Sequence, residues 1–398
     1  MSILKKHFPM IRDREDVVNE ISSNSNLKSI FDTWAAEQQE RFLDYCTGER
    51  GLKICYDAYF KEIFNVEYDK SRLDDLLSSV MGEKVEIISV LPNEGARISS
   101  ENNLLLTDIL VRLENGSLVN VEIQKIGYTF PGARVSCYSA DLLLREYKRM
   151  RDKNKKHFSY KDIMPVYTIV IFEQSPKELR EAKEHYIHKS KTVFDTGVKV
   201  NLLQNFIFIS LDNFRDILQN RIDESRNSSD GDVLSSDIDK LSLDGTNSSS
   251  GGANSSSNGN SLSLDCDNLS GDELLHSRLE EWLMFLSVDE PELIELLLRY
   301  RPYFSDLYGD IYEMCLNTER LMNMYSKVLS EYDKNTVVYM IDELKAEIDS
   351  QKAEIDSQKA EISKKDKSLA EKDKSLAKQR DTIAELTRQL EELKSKIN

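Results

Sequence analysis

The apolar positions of this chain change their period from segment to segment, and the changes mark its elements. Up to residue 50 they recur at helical spacing, with Ile30, Phe31, Trp34, Phe42 and Leu43 forming a face. A second helical run, 57–81, carries Tyr59, Phe60, Ile63 and Phe64, then Leu73, Leu76, Leu77 and Val80. Short β-rich runs follow at 85–91, 108–113 and 117–124. A helix over 132–150 comes next, then β-rich runs at 165–173 and 206–211 around a charged segment, 177–190, that reads as helix. An αβββαβ order predicts an α/β (α+β) fold in which helices pack on a mixed sheet.

Periodicity vanishes over 227–271. Fourteen serines, six asparagines and six glycines in that stretch leave too little apolar surface to offset ordering entropy. A disordered acidic insertion is expected there, with its outer limit at residue 221. Helical spacing returns with Trp282, Leu283, Phe285 and Leu286, and Pro291 and Pro302 mark breaks. This helical extension is either an independent domain or a cover for the sheet domain.

The final segment is a heptad array. Ile341, Ile348, Ile355, Ile362, Leu369, Leu376, Ile383, Leu390 and Ile397 recur every seventh position. A seven-residue repeat prescribes a left-handed coiled coil, so a homo-oligomer is expected through this tail. Gln351, Gln358, Lys365, Lys372 and Gln379 at the other seam position weaken its middle, and a solitary charged helix is the alternative. The expected division is therefore 1–50 helical lead-in, 51–220 sheet domain, 221–271 insertion, 272–338 helical extension and 339–398 coiled coil.

Two strands of the sheet domain flank Asn115-Gly116, and each carries one carboxylate, Asp108 and Glu122. A carboxylate inside a strand is disfavoured unless it is exposed or has a task. A two-residue loop puts these acids on opposite faces. A three-residue loop, Glu114-Asn115-Gly116, pairs Leu113 with Ser117 and sets Asp108 opposite Glu122, with Gly116 as the left-handed residue such a loop needs. Opposed carboxylates repel unless a cation lies between them, which predicts a hard divalent ion such as Mg²⁺. Alternation puts Gln124 on the face of Glu122 and turns Lys125 away.

Asp108 followed by Glu122-Ile123-Gln124 on the next strand resembles the PD-(D/E)XK nuclease core. The resemblance is greatest to its recombination-promoting nuclease and transposase group, in which Glu-Ile-Gln stands in place of Glu-x-Lys. Asp57-Ala-Tyr-Phe-Lys61-Glu-Ile-Phe64 is similar to that group's opening helix, and Arg134 with Tyr138 matches its Arg-x3-Tyr pattern. The resemblance implies a restriction-endonuclease-like αβββαβ core and a DNA endonuclease of transposase type. Asp108, Glu122 and the carbonyl of Ile123 are then expected to hold Mg²⁺, with Mn²⁺ as a possible substitute, and Gln124 to orient a water. Gln124 departs from the superfamily's lysine and offers no positive charge. Asp57 suits either a helix cap or an accessory catalytic role. Glu62 suits a further ligand or a surface position, and Lys125 would act only if a bulge rotated its strand.

Composition modifies this reading in one respect. The net charge of −17 argues against a nucleic-acid partner, yet seven acids and one lysine sit in 227–271. Between 145 and 161 the balance reverses. Lys148, Arg149 and Arg151 belong to a run of eight cations with only Glu146 and Asp152 against them, which predicts phosphate contacts. Arg134 and Tyr138, one turn apart, suit either DNA contact or core packing. Five scattered cysteines without metal-ligand spacing read as reduced thiols, and no apolar run is long enough for a membrane span. A cytoplasmic protein is expected. His185 and His188 lack a third ligand at suitable spacing and read as residues of a charged helix. The alternative to an enzyme is an oligomeric DNA-binding scaffold that keeps the nuclease fold.

Overall fold

A computed structural model describes residues 2–91, 109–126, 131–231 and 274–397. Four helices lead in: α1 (Ile3–His7), α2 (Arg14–Ser23), α3 (Ser25–Phe31) and α4 (Ala36–Thr47). Next come α5 (Asp57–Ile63), α6 (Lys70–Met81), β1 (Ile87–Val90), β2 (Ile109–Leu113), β3 (Leu118–Ile126) and α7 (Pro131–Asn154). Then follow β4 (Val166–Gln174), α8 (Lys177–Arg180), β5 (Ile187–Lys189), β6 (Gln204–Ser210) and α9 (Leu211–Gly231). Helices α10 (Arg278–Ser287), α11 (Pro291–Tyr300), α12 (Tyr303–Cys315) and α13 (Thr318–Ile397) complete the chain.

The strands form one mixed sheet in the order β1-β2-β3-β4-β6-β5. β1, β2 and β3 are antiparallel neighbours, β3-β4 and β4-β6 are parallel, and β5 closes the edge antiparallel to β6. Helices pack on a mixed sheet, as the order of elements predicts, and the arrangement is consistent with the restriction-endonuclease-like core that the resemblance implies. Alternation along the buried central strands sorts their side chains into two faces. Val119, Val121, Ile169, Ile171, Ile207 and Ile209 face the main core, shared with α5, α6, α9 and the helical extension. On the other face, Leu118 and Val166 meet Leu110 and Leu142, and Val170 and Phe172 meet Val135. Helix α7 covers that second face.

Three details differ from the sequence reading. The run 57–81 is two helices, because the residues between them form their own turn. Asn65 accepts from the Glu67 amide at 3.0 Å, and Asp69 caps α6 by accepting from the Ser71 amide at 2.9 Å. The charged segment 177–190 holds a helix of only four residues before β5, so His188 lies on an edge strand instead of a helix. The boundary expected at residue 221 falls inside α9, where Ile222 is buried and Arg221 is bonded to Glu280.

The lead-in and the helical extension pack with the sheet in one compact unit, Met1–Thr336; Val337–Asn398 is a second. Trp282 of α10 is fully buried against Phe64, Phe285 and Phe304, and its Nε1 donates to Asp75 of α6 at 3.0 Å. Arg278 donates to the same Asp75 oxygen at 2.6 Å. Arg221 Nη1 and Tyr186 Oη donate to Glu280 at 2.9 and 2.8 Å, tying α9 and the sheet edge to α10. Burial pushes the Glu280 carboxyl up, but these bonds and one from the His276 amide outweigh it and hold the pKa below the usual range. A carboxyl depressed in the folded state stabilises it above the unfolded pKa, about 4.3, and that stability is lost as pH falls through the folded value. The urea midpoint is therefore expected to stay flat from pH 7 to about 5 and to drop below about 4. Glu280→Gln should shrink the acid-limb drop.

The second unit is the continuation of α13. Ile341, Ile348, Ile355, Ile362, Leu369, Leu376, Ile383 and Leu390 are all exposed along it. No described helix is long and apolar enough to cross a membrane.

Candidate functional site

The β2-β3 hairpin has the register of the three-residue loop. Ile109 pairs with Val121, Leu110 with Asn120 and Val111 with Val119. Leu113 N–H donates to the Ser117 carbonyl and Gly116 N–H to the Leu113 carbonyl, each at 2.9 Å. Gly116 has φ +87°, in the left-handed region where a side chain is strained, and a Cβ there would meet Met164 Cγ at 3.1 Å. Asp108, the first expected carboxylate, lies outside the described residues.

Glu122 and Gln124 share the α7 face of β3 and are 4% and 8% exposed. β3 pairs in continuous register with β4 on one side, Glu122 beside Val170 and Gln124 beside Phe172. No bulge interrupts that ladder, so Lys125 stays on the opposite face, where its Nζ lies 4.3 Å from the centre of the Tyr56 ring. Deeper on the α7 face, Asn120 and Thr168 are register partners and fully buried. Among the described residues the Asn120 amide atoms and the Thr168 hydroxyl have no hydrogen-bond partner. Such groups cost about 1–3 kcal/mol each when left unmet. On this face β3 carries oxygen donors: the Glu122 carboxylate and the amide oxygens of Gln124 and Asn120. A donor set of this kind fits a hard divalent cation and suits a soft metal poorly. Among the described residues no group of three or more His, Cys, Asp or Glu is gathered at one point.

The accessory candidates are spoken for by local partners. Asp57 is the first residue of α5 instead of its cap, which is Tyr56, and its carboxylate is 2.7 Å from Lys61 Nζ. Glu62 is paired with Arg320 at the start of α13. Tyr138, on α7, is buried at 2% exposure, as the core-packing alternative expects. The side chain of Arg134 lies outside those described. Burial pushes the Cys55 and Cys315 thiols up to about 12, beyond thiolate formation at neutral pH.

In the basic run the structure separates engaged from free charge. Arg149 donates to Glu146 at 2.6 and 2.9 Å, and Arg145 to Asp141 at 2.7 Å. Lys148 and Arg151 are exposed, and Arg151 Nη1 donates to the Tyr147 hydroxyl at 3.0 Å. Glu146 itself has no exposed side-chain surface and also receives Arg112 Nη1 at 2.9 Å. Arg112 in turn donates to the Gly116 carbonyl at 2.9 Å. Burial raises the Glu146 carboxyl, yet the bonds from Arg149 and Arg112 dominate and hold it below the usual range. Arg112 and Glu146 thus clamp the hairpin to α7. Sequence reasoning missed this pair, although Arg112 is a charge inside a strand like Asp108 and Glu122.

Comparison with protein families matches residues 55–227 to the model described as PD-(D/E)XK nuclease family transposase. Comparisons with curated proteins and with solved structures each gave no match.

Proposed function

Because residues 55–227 belong to the PD-(D/E)XK nuclease family of transposases, a nuclease-type segment, we propose that the chain is a Mg²⁺-dependent DNA endonuclease hydrolysing phosphodiester bonds. The observation that carries this reading is the placement of Glu122 and Gln124, nearly buried, on one face of β3, in a hairpin whose register follows the three-residue loop. In the proposed site Glu122, Asp108 and the Ile123 carbonyl hold the ion. A bound divalent ion lowers the pKa of its water and offsets charge developing on the phosphoryl oxygens. Glu122, held in a rigid central strand, fixes where a scissile phosphate is received. Gln124 accepts or donates a hydrogen bond to the attacking water and fixes its direction, without taking its proton. Exposed Lys148 and Arg151 neutralise backbone phosphates beyond the site.

One observation favours a second reading, a DNA-binding scaffold with weak or no turnover. Among the described residues of β3 no lysine shares the Glu122 face, since Lys125 points the other way. Incubating supercoiled plasmid with the full chain in Mg²⁺, in Mn²⁺ and in chelator separates the two. Metal-dependent nicking supports the enzyme; retarded but intact plasmid in all three supports the scaffold.

We further propose that the heptad tail brings copies of the chain together. Its support is the continuous row of exposed Ile and Leu on α13. Ile355→Asp with Ile362→Asp places charges in that seam. Sedimentation equilibrium is expected to give a multiple of 45.9 kDa for the unaltered chain and the single-chain mass for the double variant.

A further inference from the structure

Beyond the end of α7 lies an aromatic cluster that the proposed chemistry does not use. Tyr147 on the helix and Tyr160 on the following turn stand 6.2 Å apart between ring centres, with planes only 12° from parallel. Phe158 meets both edge-on, at 5.6 and 5.3 Å. Tyr160 is nevertheless 73% exposed, so a preorganised ring faces solvent. Its turn is tied down: Asp162 accepts from Asn154 Nδ2 at 2.7 Å and from the Ser159 amide at 2.9 Å. Exposed cations flank the cluster in sequence, Lys148, Arg151, Lys153, Lys155, Lys156 and Lys161, against exposed Asp152 and the bonded Asp162, and Arg151 lies over the Tyr147 ring at 5.9 Å.

A fixed aromatic ring amid lysines is what an unpaired nucleobase and its phosphates need. In a duplex each base is already stacked and paired, and a protruding ring gains nothing from it. In a single strand each base has a free π-face, and stacking on an aromatic side chain contributes strongly to binding. Tyr147 lies nine residues beyond Tyr138 on the helix that covers the Glu122 face, about 13 Å along its axis. A strand leaving the proposed metal site along α7 therefore reaches this ring within a few nucleotides.

Resting on the reading of the chain as a DNA nuclease, we propose that Tyr160, backed by Tyr147 and Phe158, is a stacking platform for an unpaired base. The substrate class is then DNA with a single-stranded segment beside the cut.

The test is fluorescence anisotropy of labelled oligonucleotides of one sequence, single-stranded DNA, duplex DNA and RNA, with the full chain in chelator. The single strand of DNA is expected to bind most tightly. Tyr160→Ala should weaken it by about tenfold or more and leave duplex affinity unchanged, and Tyr160→Phe should restore it. Because the ring is largely exposed, an unchanged melting temperature identifies a binding effect. Equal affinity for single strand and duplex, preference for RNA, or no effect of Tyr160→Ala would overturn the proposal. Absence of cleavage in Mg²⁺ with the platform effect intact would instead overturn the nuclease reading and leave the platform standing.

Discussion

Glu122→Gln is expected to lose about three orders of magnitude of Mg²⁺-dependent cleavage while keeping its fold and its affinity for DNA. The substitution keeps size and hydrogen-bonding oxygen but removes the charge of the proposed ligand for the ion. Several kcal/mol of transition-state charge stabilisation depend on such an ion, and each 1.36 kcal/mol is a factor of ten in rate. The urea midpoint without metal checks that the fold is kept. Kinetics measured at saturating DNA, alongside that midpoint, separate a catalytic loss from a structural one. Retention of more than about a tenth of the wild-type rate would remove Glu122 from the site.

The largest stability effect is expected at Arg112. Its guanidinium is mostly buried, and it shares with Arg149 the carboxylate of Glu146, which has no exposed side-chain surface. Arg112→Met leaves that carboxylate with Arg149 alone, whose side chain is 36% exposed. Breaking a buried pair from one side costs about 3–5 kcal/mol, because the remaining charge is left poorly compensated. The double variant Arg112→Met, Glu146→Leu removes both and should recover most of the loss, with Arg149 turning to solvent. Urea unfolding of the two variants checks this through the midpoint at constant slope. Equal destabilisation by single and double variants would contradict the clamp. If the clamp positions the hairpin, Arg112→Met also lowers cleavage below what its unfolded fraction explains.

Much of this fold was legible because the decisive signals are local. Asn115-Gly116 marks the hairpin turn, and the three-residue loop that Gly116 permits fixes the register of every pair in the hairpin. The buried parallel strands β4 and β6 announce themselves as runs of Val, Ile and Phe. What escaped reading depends on partners distant in sequence. The break between α5 and α6 involves neither proline nor glycine, only the side-chain bonds of Asn65 and Asp69. Strand β5 is three residues long and polar, as an edge strand tends to be, and only its pairing with β6 makes it a strand. At the candidate site the face shared by Glu122 and Gln124 followed from alternation. The clamp did not, because Glu146 counts in the sequence as one acid in a basic run; 34 residues away, Arg112 gives it a function. For the same reason Arg149 read as a free phosphate ligand, although its charge is committed to Glu146.

The most direct test of the central claim is a Mn²⁺ titration followed by electron paramagnetic resonance, on the full chain and on Asp108→Ala and Glu122→Ala, with uncleaved DNA present. Mn²⁺ reports on an oxygen-donor site that Mg²⁺ fills unseen. A site present in the unaltered chain and weakened at least about tenfold in both variants is the predicted result. Binding unchanged in Glu122→Ala would place the ion elsewhere and contradict the reading of this strand as a metal ligand.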